Sequence, residues 1–515
     1  MTLCVLPVIM KKYLSMLCCL GVLFTAGCGD DKTGEEEGPT GEAKLTAFSF
    51  KAENNPDYLV KDYTGTISGT AISVKVPIDT DVSALVATFE TADGESTVTV
   101  NGTTQVSGTT ANDFGDPVDY LVSLGKKNSL YTVTVSELPE AVWEKVGEMN
   151  VTLTHLRMEI NPVDNKPYFA ITEKTGGATY GDLLYASVNG SSISSVVVQT
   201  APTQNIGFGF DKSGKAYMSY YNSTEGVGHI TTNKSGSWSL ESVTYDRPQN
   251  SGVGPTICEA NNGNIFVFTA NNAASGSLGK RELNMTVYDG ASWLTQQTIT
   301  GRSGYTYWPV ARVKENVMYL LTLNPVTPNS FSVYTYKNGN WKTVIDSFAY
   351  VSSEPGAETT TYYTMGSRIP DMDIDNDGNI YINLTYKLGA AYTRHVMKAT
   401  YNPNTDSYEI NRLGSPLNTD DGDYGRMAVS PLGVPYAIFR NTRDTKQMAV
   451  VSLDSKTKDW SHATIISPDQ VETEFEFKFA KDGTAYLAYY VQEEKTDGVV
   501  TTPAKLCLYK LATAE

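Results

Sequence analysis

The stretch DMDIDNDGNIYINLTYK, residues 371–387, has the residue types and spacing of a calcium-binding loop. Asp373, Asp375 and Asp377 alternate before Gly378, and an EF-hand opens its loop in the same way, with oxygen ligands at alternate positions and a glycine at the turn. The twelfth position holds Leu384, where that loop needs a bidentate glutamate. The stretch therefore predicts at most a structural calcium ion on the three aspartates, and no other cofactor is expected.

A second set of residues has the chemistry of a carbohydrate site. Aromatic rings stack on sugar rings, while Asp, Asn and Arg side chains pair with sugar hydroxyl groups. The residues predicted to bind ligand are Tyr305, Tyr307, Trp308, Tyr362, Tyr363, Arg368, Asp423, Tyr424, Arg426 and Glu474. Asn205, Asp420, Asp421 and Glu472 belong to the same group of loops. Asp421 or Asp423 with Glu474 would also supply the two carboxylates of a glycosidase, so binding and hydrolysis both remain open.

Other catalytic sets find little support in the sequence. The four histidines lie in separate repeats without the spacing of metal ligands, and they are His155, His229, His395 and His462. There is no G-x-S-x-G motif, and no Ser-His-Asp set can be assembled. The segment SRIP around Arg368 is similar to the arginine motif of sialidases, but the Asp-box of that family is missing. We therefore predict no catalytic residue.

The elements that must position these side chains form an internal repeat. Seven segments combine an alternating apolar strand, a polar turn and an aromatic residue that opens a second strand. These marker aromatics, 49 to 62 residues apart, are Tyr168, Tyr217, Phe266, Tyr319, Tyr381, Tyr436 and Tyr486. One four-stranded blade fits each interval. The repeat predicts a seven-bladed β-propeller over residues 141–515, with six or eight blades as alternatives. It also assigns the strand at Trp143 to the last blade, which otherwise lacks a fourth strand.

The repeat sorts the polar residues between two ends of the propeller. Turns such as DKSG, DNDG and AKDG join first and second strands at one end, which we call the turn end. The loops between blades and the loops after the marker strands build the opposite end, which we call the mouth. The predicted ligand-binding residues belong to the mouth, where loop variation costs the fold little. The three aspartates of the calcium-like stretch belong to the turn end.

Residues 44–138 predict a separate small β domain. Short alternating strands such as FSF, ISVKVP, LVATF and YTVTV are separated by Gly, Asn and Asp turns, and about ninety residues of this kind suit an Ig-like sandwich. The pattern resembles an Ig-like module that is repeated across surface lipoproteins of Bacteroidota, and the resemblance implies a surface location and a spacer role. The whole chain is thus predicted to be all-β, with an N-terminal Ig-like β-sandwich followed by a seven-bladed β-propeller.

The first residues predict export and anchoring. Lys11 and Lys12 precede the apolar run YLSMLCCLGVLF, and small residues lead to Cys28, so residues 1–27 predict a signal peptide. The ending TAGC resembles the lipobox of bacterial lipoproteins, which implies that Cys28 is acylated; an ordinary secretory signal is the alternative. Residues 28–43 predict an acidic flexible tether. Such a tether resembles the export signal of Bacteroidota surface lipoproteins, which implies an outer-membrane lipoprotein that faces the cell exterior.

Charge and composition limit the partners. The net charge of −17 and the pI near 4.8 exclude nucleic acid, because no basic surface would neutralise its phosphates. We expect the protein to bind a polysaccharide or glycoconjugate at the mouth, to contact the membrane only through its lipid, and to work with partner proteins of a glycan-uptake system. The alternatives are an extracellular glycoside hydrolase or polysaccharide lyase, and a structural or protein-binding surface protein.

Overall fold

The computed structural model describes residues 40–78, 80–138, 141–174, 180–246, 254–270, 283–299, 307–324, 330–349, 370–388, 391–418, 425–441, 444–454, 457–497 and 499–512. These residues form mostly strands, with one short 3₁₀-helix, Ala52–Asn54, among them. Within these ranges no helix is long and apolar enough to cross a membrane.

Two sheets packed face to face form the N-terminal unit. Its strands are β1 Leu45–Phe50, β2 Tyr63–Thr64, β3 Thr66–Ser68, β4 Ala71–Val76, β5 Leu85–Thr91, β6 Thr97–Val100, β7 Thr103–Thr104, β8 Ala111–Asn112, β9 Val118–Leu124 and β10 Lys127–Glu137. One sheet has the order β2-β1-β5-β8 and the other has the order β3-β4-β10-β9-β6-β7. Along β4 and β9 every second side chain is buried, as the sequence alternation requires. Phe48, Phe50 and Tyr120 meet edge to face in the shared core.

Seven four-stranded blades form the second unit. Strand β11, Val142–Asn150, comes first in the chain and belongs to the last blade. Blades 1 to 3 contain β12 Leu153–Ile160, β13 Pro167–Glu173, β14 Leu183–Asn189 and β15 Ser192–Gln199; β16 Thr203–Phe210, β17 Ala216–Asn222, β18 Val227–Thr232 and β19 Ser239–Tyr245; and β20 Thr256–Glu259, β21 Ile265–Ala270, β22 Leu283–Tyr288 and β23 Trp293–Thr298.

Blades 4 to 7 continue the same pattern. Blade 4 contains β24 Tyr307–Lys314, β25 Val317–Asn324, β26 Ser330–Lys337 and β27 Asn340–Phe348, and blade 5 contains β28 Asp371–Ile374, β29 Ile380–Leu388, β30 Ala391–Asn402 and β31 Ser407–Asn418. Blade 6 contains β32 Gly425–Val429, β33 Pro435–Arg440, β34 Met448–Ser452 and β35 Thr464–Ile465. Blade 7 contains β36 Phe475–Phe479, β37 Ala485–Val491 and β40 Lys505–Ala512, with a side hairpin of β38 Glu494–Thr496 and β39 Val499–Thr502. The first strand of each blade, which we call its inner strand, contacts the inner strands of both neighbouring blades in a closed ring.

The ring of blades is closed by a strand from the beginning of the unit. β11 pairs antiparallel with β40 from Val142 opposite Ala512 to Asn150 opposite Lys505. This pairing gives blade 7 its fourth strand, as in the other six blades. The predicted role of the strand at Trp143 is therefore confirmed.

The repeating aromatic residues pack between neighbouring blades. Trp238 of blade 2 lies against Tyr185 of blade 1, with 5.1 Å between ring centroids, and Trp293 of blade 3 lies against Tyr217 of blade 2 at 6.4 Å. Trp341 of blade 4 meets Phe266 of blade 3 at 6.4 Å. Each tryptophan thus covers the sheet before it, which explains why the sequence repeats these aromatics once per blade.

The predicted fold class is confirmed. The described residues are almost entirely β structure, with a two-sheet sandwich followed by seven four-stranded blades. The count of seven blades follows from the sheet order, in which blades 1 and 7 are joined into one larger sheet through Glu148 opposite Ser192.

Candidate functional site

The register of the inner strands arranges alternate side chains in layers around the propeller axis. Positions two residues apart on a strand face the same way, and pairing with the second strands aligns these positions from blade to blade. The layer nearer the turn end, the lower layer, contains Glu159, Gly209, Cys258, Arg312, Asp373, Ala428 and Lys478. The layer nearer the mouth, the upper layer, contains Arg157, Gly207, Thr256, Val310, Asp371, Arg426 and Glu476.

Charged residues of the two layers form ion pairs across blade boundaries. In the upper layer Glu476 lies between two arginines, at 3.4 Å from Arg426 and 3.5 Å from Arg157. Lys478 reaches Glu159 at 2.9 Å where blade 7 meets blade 1. Arg312 of the lower layer reaches up to Asp371 of blade 5 at 2.6 Å. Each layer contains two cations and two anions, so the charges of the axis compensate one another.

Several carboxylates of this set also bind the main chain of the next blade. Asp371 accepts a hydrogen bond from Met427 N at 3.1 Å, and Asp373 accepts one from Val429 N at 2.7 Å. Glu474, just before β36, accepts one from Leu156 N at 3.0 Å. These side chains therefore join inner strands to each other, at blades 5 and 6 and again at blades 7 and 1.

Burial and pairing shift the pKa values of these groups. Burial raises the pKa of Asp373 above its ordinary value, although Arg312 and two main-chain N–H groups oppose the shift. Burial alone would lower the pKa of Arg426, but Glu476 and Asp371 outweigh it and raise the pKa. Burial thus dominates at Asp373, whereas the neighbouring carboxylates dominate at Arg426.

The inner strands bulge at the mouth end of three blades. Each bulge adds one residue to the inner strand, between Leu153 and His155 in blade 1, between Gln204 and Gly207 in blade 2, and between Tyr307 and Val310 in blade 4. In blade 2 the bulge holds Asn205 at a positive φ of 48°. Bulges change the direction of nearby side chains and are common beside binding sites.

Of the predicted ligand-binding residues, the structure places Arg426 and Glu474 in the axial network. Arg426 pairs with Glu476, and Glu474 lies 3.9 Å from Arg157. Tyr307 and Trp308 open β24, although only their main chain belongs to the described part. The other residues predicted for ligand binding and lipidation lie outside the described residues, and they are Tyr305, Tyr362, Tyr363, Arg368, Asp423, Tyr424 and Cys28.

The three aspartates of the calcium-like stretch have separate roles. Asp373 binds the neighbouring inner strand, as described above, while Asp375 lies in the turn and accepts hydrogen bonds from Asn379 N at 2.9 Å and Tyr381 Oη at 3.0 Å. Asp377 donates its own N–H to Asp375 at 3.0 Å. In the ranges that the structure describes, no three His, Cys, Asp or Glu side chains are grouped as metal ligands. Main-chain and side-chain donors therefore contact the carboxylate oxygens of Asp373 and Asp375.

The axial network was not recognised from the sequence. Arg157, Glu159, Arg312, Asp371, Glu476 and Lys478 are not among the predicted site residues, because each lies within a strand of alternating apolar residues and not in a mouth loop. Alignment of the seven repeats on their marker aromatics would have found them. That alignment places Arg157, Asp371, Arg426 and Glu476 at one equivalent position, with alternating charge from blade 5 round to blade 1.

A shallow surface cleft lies away from the mouth, on the last hairpin of blade 5. It encloses about 390 Å³ between Thr400 and Glu409. Tyr401 and Tyr408 face each other there with 5.2 Å between ring centroids. Their hydroxyls are bound to Asp406 Oδ1 at 3.1 Å and Gly378 O at 3.3 Å, so the rings support the hairpin.

Comparison with known proteins gives a family match for the sandwich and none for the blades. Residues 48–135 match the family model described as SGBP, N-terminal. The match covers most of the sandwich and none of the blades. Comparison with the curated proteins gives no match.

Several solved structures resemble the chain in fold. The polysaccharide lyase Uly1 is 11% identical with a TM-score of 0.46, over 70% of this chain and 90% of that one. An α-L-arabinofuranosidase from Fusarium graminearum in complex with an iminosugar inhibitor is 13% identical with a TM-score of 0.38, over 60% of this chain and 92% of that one. A protein of unknown function from Dyadobacter fermentans is 10% identical with a TM-score of 0.39, over 72% and 99%. At these values the likenesses carry no weight for activity.

Proposed function

We propose that the protein is a surface lipoprotein that captures glycans at the mouth of its propeller. The observation that carries this proposal is the match of residues 48–135 to the SGBP N-terminal family, whose members are surface glycan-binding proteins. The ligand is a polysaccharide or glycoconjugate, bound by stacking on mouth aromatics and by hydrogen bonds from Asp, Asn and Arg side chains. Acylation at Cys28 holds the protein on the outer membrane, facing outward.

The ion pairs of the axis support binding rather than catalysis. A glycosidase needs one carboxylate that donates a proton and a second that attacks or activates water. Glu474 and Asp371 are held by main-chain N–H groups and arginines, and Glu476 is shared between Arg157 and Arg426. These contacts fix the direction of each carboxylate and occupy its oxygen atoms, so the described carboxylates suit a scaffold.

The direction in which the chain enters the propeller also supports capture at the mouth. β40 runs from the mouth toward the turn end, because it is antiparallel to β37, which rises from the turn of the first hairpin. β11 is antiparallel to β40 and therefore starts at the turn end. The sandwich and the tether thus join the propeller at the end opposite the mouth.

One observation keeps an enzymatic alternative in view. Asp373 lies two residues from Asp371 on the same face of β28, burial raises the pKa of Asp373, and a pair of carboxyl groups is the set that glycoside hydrolysis uses. The alternative function is an extracellular glycoside hydrolase or polysaccharide lyase.

Retention and cleavage of polysaccharides separate the two functions. Cells that display the protein would be incubated with a panel of labelled polysaccharides, and both bound label and newly formed reducing ends would be measured. We expect retention of at least one polysaccharide without new reducing ends. The Cys28→Ser variant is the matched control, and it should lose cell-bound label because it leaves the membrane. New reducing ends would show that the protein is an enzyme and would overturn the binding proposal. If no polysaccharide were retained, glycan capture would be contradicted.

A further inference from the structure

The sandwich touches the propeller at one turn of the last blade. A Cβ atom placed on Gly483 would lie 2.6 Å from Val60 Cγ2 and 3.4 Å from Val60 Cβ. Val60 belongs to the loop between the 3₁₀-helix and β2 of the sandwich, and Gly483 belongs to the turn between β36 and β37. The two units therefore meet at the turn end, where β11 also enters.

The same turn in blades 3, 5 and 6 has no neighbour as close as Val60. Gly263, Gly378 and Gly433 occupy the equivalent position at positive φ values of 85°, 81° and 80°, and Gly483 has a φ of 85°. A Cβ atom on any of the first three would come no closer than 3.7 Å to its neighbours. Gly214 of blade 2 has the same conformation, with a φ of 79°, and its Cβ atom would lie 2.8 Å from a side-chain oxygen of the neighbouring blade 1. The turn thus requires the glycine conformation in all five blades, while close approach by the sandwich distinguishes Gly483.

The loop of the sandwich that carries Val60 is fixed at both ends. Asn55 exchanges two hydrogen bonds with Val86 of β5, at 2.9 and 2.7 Å. Asp62 accepts a hydrogen bond from Ala52 N at 2.9 Å. Leu59, next to Val60, is buried in the core of the sandwich. Val60 is therefore presented on a loop whose conformation is already determined.

The turn of blade 7 that receives Val60 is equally fixed. Gly483 N donates to Ala480 O at 3.0 Å within the turn. Lys481 N donates to Asn165 Oδ1 of blade 1 at 2.8 Å, and Lys481 Nζ donates to Pro162 O at 3.3 Å. Contact between two preorganised loops costs little conformational entropy.

The connection between the units is short. Leu138 N donates to Val76 O inside the sandwich at 2.7 Å, and Val142 is already paired with Ala512 in blade 7. Four residue steps span at most about 14 Å, so the two units remain close neighbours. A short connection raises the effective concentration of one surface at the other, and even a small contact can then persist.

We propose that the Ig-like sandwich is docked on blade 7 through Val60 and Gly483, and that this contact fixes the direction of the mouth away from the N-terminal end of the chain. Docking makes the sandwich a rigid support instead of a hinged spacer. The proposal does not depend on the ligand, because it concerns the opposite end of the propeller.

A disulfide between the two positions tests the docking in the full chain. The distance of 3.4 Å between the two Cβ positions is close to the separation of about 3.8 Å in a disulfide. Val60→Cys with Gly483→Cys would be oxidised mildly, digested, and searched by mass spectrometry for the linked peptides. The control combines Val60→Cys with Gly433→Cys, which has the same backbone conformation at another blade. We expect at least tenfold more linked product in the first pair, and equal amounts in both would overturn docking.

Hydrogen exchange provides a second test that leaves Gly483 unchanged. Val60→Asp places a charge against the turn, and we expect faster deuterium uptake at residues 480–484 than in the unaltered protein. The equivalent turn of blade 6, residues 430–434, serves as the internal control and should not change. Unchanged uptake at residues 480–484 would contradict docking even if the cysteine pairs could not be prepared.

Discussion

The inner strands of blades 4 to 7 and blade 1 differ from those of blades 2 and 3 in how they fill the space around the axis. The first group, which we call the charged sector, contributes Arg157, Arg312, Asp371, Arg426 and Glu476, among others, and joins them by ion pairs. The second group, which we call the small-residue sector, has two glycines, a threonine and a cysteine at the equivalent positions, and they are Gly207, Gly209, Thr256 and Cys258.

The two sectors depend on different forces. In the small-residue sector the inner strands approach so closely that a Cβ atom on Gly207 would lie 2.6 Å from Pro255 O, and one on Gly254 would lie 1.8 Å from Ile206 O. In the charged sector, long side chains fill the gap and their charges must be matched in pairs. One ring of blades is therefore sensitive to volume on one side and to charge on the other.

The largest expected effect comes from loss of one charge in the charged sector. Arg426→Met removes the guanidinium that faces Glu476 at 3.4 Å and leaves a buried carboxylate with one cation fewer. Breaking a buried pair from one side costs about 3–5 kcal/mol. We expect the free energy of unfolding of the propeller to fall by about that amount, measured by denaturant unfolding with tryptophan fluorescence.

The control for this substitution lies in the same layer on the opposite side. Thr256→Val removes the hydroxyl that accepts from Ala311 N at 3.3 Å and keeps the shape of the side chain. Its cost should be about 1 kcal/mol. If Arg426→Met cost no more than Thr256→Val, the ion pairs would not distinguish the two sectors.

A smaller effect is expected from added volume in the small-residue sector. Gly207→Ala introduces a methyl group 2.6 Å from both Pro255 O and Ser219 Oγ, and the carbonyl cannot move without the strand. Overpacking of this kind costs about 1–3 kcal/mol. The same measurement of unfolding applies. Gly94→Ala is the control, because its Cβ atom would meet nothing within 4 Å, and a Gly207→Ala variant as stable as that control would contradict the close approach.

The fold could be read from the sequence because its signal is local and repeated. Tyr217 and Phe266 mark the second strand in successive blades. Trp143 marks the closing strand, as other tryptophans mark the last strands of their blades. The pairing of charges could not be read in this way, because Arg426 meets Glu476 50 residues away and Arg157 meets Glu476 319 residues away. A single sequence shows that both arginines are charged, but it does not show which carboxylate each one faces.

The candidate site shows the same limit. Glu474 and Arg426 were predicted to bind ligand because charges in mouth loops often do, and the structure places both beside partners of their own. The calcium-like stretch has a similar explanation. The alternation of Asp371, Asp373 and Asp375 follows the period of the strand, and the first two reach the main chain of β32. Two of the alternating aspartates therefore connect neighbouring blades.

The smallest expected effect is the pH dependence of stability that comes from Asp373. It tests whether burial outweighs the neighbouring cations at this carboxyl group. Because burial raises the pKa of Asp373 above 3.8 in the folded protein, its contribution to stability is complete at low pH and is lost as pH rises through the folded pKa. Asp373→Asn keeps an oxygen for Val429 N and removes the titration. Relative to this variant, the unaltered protein should lose ~1.4 kcal/mol for each unit of the shift, measured by unfolding between about pH 4 and about pH 8.

Asp406→Asn provides a control of opposite sign. Lys342 and Tyr401 lower the pKa of Asp406, so its contribution is present at neutral pH and is lost as pH falls through the folded pKa. The two difference curves should therefore slope in opposite directions. If the curve for Asp373 were flat or sloped like that for Asp406, Arg312 and Lys478 would outweigh burial at this position, and the charged sector would hold all of its carboxylates ionised.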